Sequence, residues 1–176
     1  MAEHRAGWLD PLFIGLSVIG FAGLVWILLA PVLAVLAKQA ILPTAALTAA
    51  CVWGSDLAAL AVKLASDRSR PFEELEGVEA LVGGTVAGSF PSGHAATSFA
   101  GAVVLGYLFR RGLAAFLVLA VAVAWSRVYV GVHYPSDILV GAALGTAVAL
   151  AAVSALRLRR PTSAAPPRSE VAPPGD

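Results

Sequence analysis

Two histidines, a carboxylate and three cations stand at spacings that suit chemistry on a phosphate group. His94 follows Pro91, Ser92 and Gly93, while His133 lies four residues before Asp137. Lys63 and Arg70 stand ahead of the first histidine and Arg127 ahead of the second. An imidazole with one nitrogen held by a carboxylate presents the other as a nucleophile or base. Cations around it would neutralise phosphate oxygens and the charge that shifts as the group is transferred. Small residues opening a helix add unpaired backbone N–H donors and a partial positive charge, and Ser92 with the Gly93 amide falls at such a point.

The elements that must position these groups are apolar. Of 176 residues, 59% are hydrophobic and 13% charged, with a mean hydropathy of +0.82. That is too apolar for a soluble domain of this length and indicates one membrane domain. A bilayer span takes roughly 20 apolar residues, and five stretches approach this: 12–37, 41–65, 93–110, 112–130 and 135–156. The first is uncharged, longer than a signal-peptide core and lacks a basic segment before it, so it is expected to stay in the membrane uncleaved. The expected fold is all-α, a polytopic transmembrane helix bundle over residues 1–160, with the Pro-rich stretch 161–176 a disordered tail. Gly141 and Gly145 form a small-xxx-small pair suited to close helix contact. Cys51 reads as packing, and the four tryptophans, Trp8, Trp26, Trp53 and Trp125, should include interface anchors. A net charge of +1 with few, scattered basic residues argues against a nucleic-acid partner.

Lys38, then Arg110 and Arg111, then Arg157, Arg159 and Arg160 occupy alternate connections, which should be cytoplasmic. The connection 66–92 carries Asp67, Glu73, Glu74, Glu76 and Glu79 and should face outward, as should the N-terminus; the four glutamates read as a solvated face. Threading the spans brings Lys63, Arg70, His94, Arg127, His133 and Asp137 to that same outward side. Lys63 and Arg70 are two helical turns apart, and Pro71 should end any helix that carries both. Asp56 lies seven residues before Lys63, within a span, where a carboxylate needs a structural or functional reason.

The series Lys63-x6-Arg70-Pro71, Pro91-Ser92-Gly93-His94 and Ser126-Arg127-x5-His133-x3-Asp137 resembles the three-part signature of the type 2 phosphatidic acid phosphatase family, which includes lipid phosphate phosphatases and haloperoxidases. The resemblance covers about 60–137. It implies a membrane phosphatase needing no metal or cofactor, in which Lys63, Arg70, Ser92, Gly93 and Arg127 hold the phosphate. It further implies that His133 attacks phosphorus, Asp137 orients His133, and His94 protonates the leaving group. Apart from the resemblance, Asp56 and Ser126 are candidates for supporting positions, Asp56 either as a structural group or as one that tunes the cations. Family members commonly have six spans against about five here. The substrate would be a lipid phosphate or diphosphate monoester: polyprenyl diphosphate such as undecaprenyl diphosphate first, then phosphatidylglycerol phosphate, phosphatidate or a polyprenyl-phosphosugar phosphate. The expected location is a bacterial plasma membrane.

Three rivals compete. A two-histidine, one-carboxylate metal site is disfavoured because three cations would add to the ion's own charge. A vanadate haloperoxidase fits poorly with a short chain of hydrophobic spans. A protein that binds or transports lipid phosphate without cleaving it would have little use for the His133 and Asp137 pair.

Overall fold

The computed structural model describes residues 6–83 and 88–158, so the stretch 161–176 expected as a tail lies outside the described residues. Seven helices appear among them: α1 (Asp10–Ile19), α2 (Leu24–Leu36), α3 (Ile41–Leu64), the short α4 (Pro71–Glu74), α5 (Gly93–Leu108), α6 (Leu113–Tyr129) and α7 (Pro135–Leu158). The described residues form no strand.

α5 is the axis of the bundle, packed against α3, α6 and α7. Its sequence explains why. Ala95, Ala96, Thr97, Ser98, Ala100, Gly101 and Ala102 are all buried, and such small side chains let neighbouring backbones come close. A β-carbon on Gly141 would collide with the Ser92 carbonyl, and one on Gly145 with the Ala96 carbonyl, so the Gly141 and Gly145 pair seats α7 directly on the α5 backbone. Gly101 likewise leaves room for the Trp26 ring of α2. Trp26 is therefore core, fully buried and edge-on to Phe116, unlike the half-exposed Trp53 and Trp125.

Large apolar side chains that a water-soluble protein would bury, including Leu28, Leu57, Val118 and Leu139, point outward over much of the bundle. Contiguous apolar surface of this kind is matched to lipid, and the chain is an integral membrane protein. Among the described residues, three helical segments are long and apolar enough to cross a bilayer: α3, α6 with its leading turn from Arg110, and α7. α1 and α2 are bent by 51° and together make a possible fourth. α5, expected to span, has 16 residues, about 24 Å of helix against a hydrocarbon core of about 30 Å. Most of its residues are buried against α3, α6 and α7.

The first apolar stretch was expected as one continuous span and is instead broken. Between Gly20 and Gly23 the backbone enters the left-handed region, with φ +50° at Ala22 and +68° at Gly23. α1 descends beside the last turns of α6: Tyr129 donates to Asp10 at 2.8 Å and Phe13 stacks on the Tyr129 ring at 4.0 Å. α2 then carries the chain on to α3.

A second expectation fails locally. Lys63 and Arg70 do not share a helix, because α3 ends at Leu64 and the turn-forming sequence Ser66-Asp67-Arg68-Ser69 follows. Pro71 opens α4 rather than closing α3, and the Glu73 carboxylate accepts the Arg70 N–H at 2.8 Å.

Candidate active site

Three backbone elements meet at one end of the bundle: the C-terminus of α3 with the connection after it, the N-terminus of α5, and the turn between α6 and α7. Main-chain bonds fix them together. Ser92 N–H donates to the Asp137 carbonyl at 3.0 Å, Ser89 N–H to Arg68 O at 2.8 Å, and Leu81 N–H to Val130 O at 3.1 Å. Gly131 turns the chain with φ +80°, where a β-carbon would lie 2.9 Å from the Glu79 carbonyl oxygen. A side chain there would be strained in conformation as well as crowded.

His133 follows this turn and is 4% exposed, while Asp137 is fully buried. The Asp137 carboxylate is held on both oxygens: Arg68 donates to Oδ1 at 2.9 Å and the Tyr134 N–H to Oδ2 at 2.8 Å. Oδ2 also faces His133 Nδ1 at 3.4 Å, long for a hydrogen bond but close enough to orient the ring. With Nδ1 turned to the carboxylate, Nε2 is the nitrogen left to react. Burial drives the His133 pKa down to about 4; the Asp137 contact opposes this, while Arg127, Arg70 and Lys63 push it the same way as burial. Burial thus favours the neutral imidazole, the form that can act as a nucleophile or base.

Lys63 Nζ and Arg70 Nη2 both reach the Gly88 carbonyl, at 2.6 and 3.4 Å, and Arg70 Nη1 donates to Val132 O at 3.0 Å. The two cations meet through the folded connection instead of through a common helix face. Arg127, near the end of α6, donates from Nη1 to Ser17 Oγ, and its buried Nε has no hydrogen-bond partner among the described residues. An N–H in that state is costly unless something accepts it. A phosphate oxygen would.

His94 sits in the first turn of α5 within electrostatic reach of His133 and Arg127. Its Nε2 lies 3.2 Å from the Ser17 carbonyl oxygen. Ser92 is the N-cap of α5, its hydroxyl accepting from Ala95 N–H at 3.4 Å, so that hydroxyl positions the helix end. Asp56 lies against Gly93: a β-carbon there would be 2.9 Å from Asp56 Oδ1. The buried Ser126 hydroxyl donates to the Val123 carbonyl of its own helix at 2.7 Å.

Two contributors escaped sequence reasoning. Arg68 bonds Asp137 and the Ser136 hydroxyl and lies 4.3 Å over the Tyr134 ring, although its only sequence signal was membership of a mixed-charge loop. Ser17 gave no signal at all, being one serine in an apolar stretch. Glu73 and Glu74, read as a solvated face, are partly engaged, Glu74 accepting from the Tyr134 hydroxyl at 2.8 Å.

Cations, a helix N-terminus and a carboxylate-oriented imidazole thus share one end of the bundle. The chain fits the family model described as PAP2 superfamily over residues 33–161. It belongs to the PAP2 superfamily. A decaprenylphosphoryl-5-phosphoribose phosphatase of Mycobacterium tuberculosis is 48% identical over 60 residues, 34% of this chain and 33% of that protein. The chain therefore matches about a third of that curated relative's length. The crystal structure of Aquifex aeolicus LpxE superposes with a TM-score of 0.74 at 26% identity, covering 86% of this chain and 89% of that one. A transmembrane PAP2 type phosphatidylglycerolphosphate phosphatase from Bacillus subtilis superposes with a TM-score of 0.72 at 22% identity, covering 92% and 83%; this second likeness concerns the fold. The PAP2 match begins at residue 33 and so leaves α1 and the break after it outside.

Proposed function

We propose that this PAP2 protein is a membrane phosphatase that removes phosphate from a lipid phosphate or diphosphate monoester through a phosphohistidine at His133. The observation that carries the reading is the neutral His133 imidazole, backed by buried Asp137 and flanked by Lys63, Arg70 and Arg127. In this reading the phosphate enters with its oxygens toward the three cations and the α5 N-terminus, including the Gly93 amide beside the Ser92 cap. His133 Nε2 attacks phosphorus in line with the leaving oxygen. His94, protonated on Nδ1 once the anionic phosphate is bound beside it, gives that oxygen the proton and becomes neutral, and water then attacks the phosphohistidine with the neutral His94 taking a proton back. Asp137 holds the His133 ring and stabilises the charge it acquires, and Arg68 holds Asp137. Asp56 supports the Gly93 turn.

The cations make a metal ion redundant, since they already supply the charge that a phosphate needs. The site faces outward across a bacterial plasma membrane in this reading, because the arginine-rich connections lie at the other end of the bundle. A lipid presented on the outer leaflet follows, with polyprenyl diphosphate first. Resemblance to a phosphatase of a decaprenylphosphoryl sugar phosphate favours the polyprenyl class without choosing within it.

The test is phosphate release by the purified protein in detergent or vesicles, in excess chelator, from undecaprenyl diphosphate, phosphatidylglycerol phosphate, phosphatidate and a polyprenyl-phosphosugar phosphate. Release from at least one lipid is expected, and largest from a polyprenyl substrate. Tight binding of these lipids with no release would favour the rival binding or transport protein.

The pH dependence has a defined direction. Protonation removes the attacking lone pair, and the folded pKa of His133 is depressed, so the nucleophile is fully available at neutral pH and lost as pH falls through about 4. The acid limb of kcat/KM, which reports the free enzyme, should therefore lie near that value and well below the ordinary histidine pKa of about 6.5. Measuring kcat/KM from pH 8 downward on a substrate whose own phosphate titration is known decides this. A limb assigned to the protein at 6.5 would show a solvated His133.

A further inference from the structure

The site described so far is built from α3 onward, yet two of its groups lean on α1. Arg127 Nη1 donates to the Ser17 hydroxyl, and His94 Nε2 lies 3.2 Å from the Ser17 carbonyl oxygen. Ser17 is 3% exposed and belongs to the last turn of α1, which ends at Ile19. Carbonyls in a final turn lack the intrahelical donor that a continuing helix would supply. The break at Gly20–Gly23 therefore does more than bend the chain: it releases a backbone acceptor at the depth of His94. Gly20 completes the fit, because a β-carbon there would run into the Val123 side chain and lie 3.3 Å from His94 Cδ2. α1 is held in place by Tyr129, whose hydroxyl and ring engage Asp10 and Phe13.

A carbonyl oxygen can only accept, so the nitrogen facing it must carry the proton. His94 is then the Nε2–H tautomer, and Nδ1 is the nitrogen that exchanges protons with substrate or water. Arg127 is similarly constrained: with Nη1 tied to Ser17, its buried Nε–H has no partner among the described residues and is left for a phosphate oxygen. Arginine's planar fork recognises phosphate through such donors, and fixing its rotation reduces the ordering left to be done when the ligand binds.

We propose that Ser17 is a positioning residue of the site, its carbonyl setting the His94 tautomer and its hydroxyl orienting the Arg127 guanidinium for phosphate. This rests on the phosphatase reading for its purpose, though not for its measurement. Ser17 touches neither the phosphate nor the reacting atoms. It acts through two residues that do.

The two halves separate experimentally. Ser17→Ala removes the hydroxyl and keeps the carbonyl, whereas Ser17→Thr keeps both. Affinity for inorganic phosphate, followed by ³¹P NMR in detergent micelles, should fall about tenfold in Ser17→Ala, the scale of one hydrogen bond to a charged group. It should recover in Ser17→Thr. The ¹⁵N spectrum of His94 should show the Nε2–H tautomer at neutral pH in wild type and in Ser17→Ala alike. A thermal midpoint near the wild-type value in Ser17→Ala would confirm that the affinity loss is not unfolding; if the midpoint collapses, Ser17→Cys takes its place, with the same loss of affinity expected. Unchanged phosphate affinity in the folded variant would overturn the hydroxyl's role, and an Nδ1–H tautomer would overturn the carbonyl's. Neither readout requires turnover. A wild type that binds phosphate but releases none from any lipid sinks the phosphatase reading alone, and one that binds no phosphate sinks both.

Discussion

Replacing His133 with alanine should lower phosphate release by on the order of 10⁴–10⁶, the range expected when a covalent nucleophile is lost. The size follows from the proposed chemistry. Among the described residues at this end of the bundle, no other imidazole is held by a carboxylate, and water cannot take over a step for which no base has been set against it. Lipid phosphate should still bind, because the cations remain. Release measured at saturating lipid, beside a binding measurement on the same preparation, checks both halves. Release within tenfold of wild type by a folded His133→Ala protein would remove His133 from the reaction.

The second large effect belongs to His94. Its alanine variant should turn over 10²–10⁴ times more slowly, as expected for loss of a general acid or base. Two steps would suffer, since the same imidazole donates a proton to the leaving oxygen and later receives one from water. The loss should shrink for a substrate whose leaving group needs no proton, such as an aryl phosphate with a good leaving group, at least in the first step. A burst of leaving group followed by slow turnover is the expected pattern on that substrate. An equal loss on good and poor leaving groups, with no burst, would give His94 a purely structural part.

Much of this site was legible before any coordinates because its side chains are costly in a membrane. Lys63, Arg70, His94, Arg127, His133 and Asp137 stand out against apolar surroundings, and charge asymmetry between connections places them at one end. The Gly141 and Gly145 spacing was legible for a related reason, since close helix contact demands small residues at a fixed interval. Other features were hidden. Arg68 looked like one charge among several in a loop, and only the fold shows that it reaches Asp137. The helix break at Ala22 and Gly23 lies in a sequence as apolar as its neighbours, where hydropathy measures solvent preference and is blind to a change of backbone hand. Ser17 was invisible for the same reason, its contribution coming partly from a carbonyl that every residue possesses. The shared helix face for Lys63 and Arg70 failed because helical periodicity was carried across residues that favour a turn.

The span count shows a further limit of composition. α5 reads as a membrane crossing by its apolarity, yet its 16 residues make a shorter helix than the 24 each of α3 and α7. Its small residues make it the packing axis, and its N-terminus is where the groups proposed to bind phosphate gather. Burial inside a bundle and burial in a bilayer leave nearly the same mark on a sequence.

The most direct test is to expose the His94→Ala protein briefly to a ³²P-labelled lipid phosphate, quench it and look for label on the polypeptide. The proposed reaction predicts acid-labile, base-stable phosphate that maps to His133 and is missing when His133 is also replaced. Free phosphate accumulating while neither wild type nor the slow variant ever carries label, or label on another residue, would contradict it.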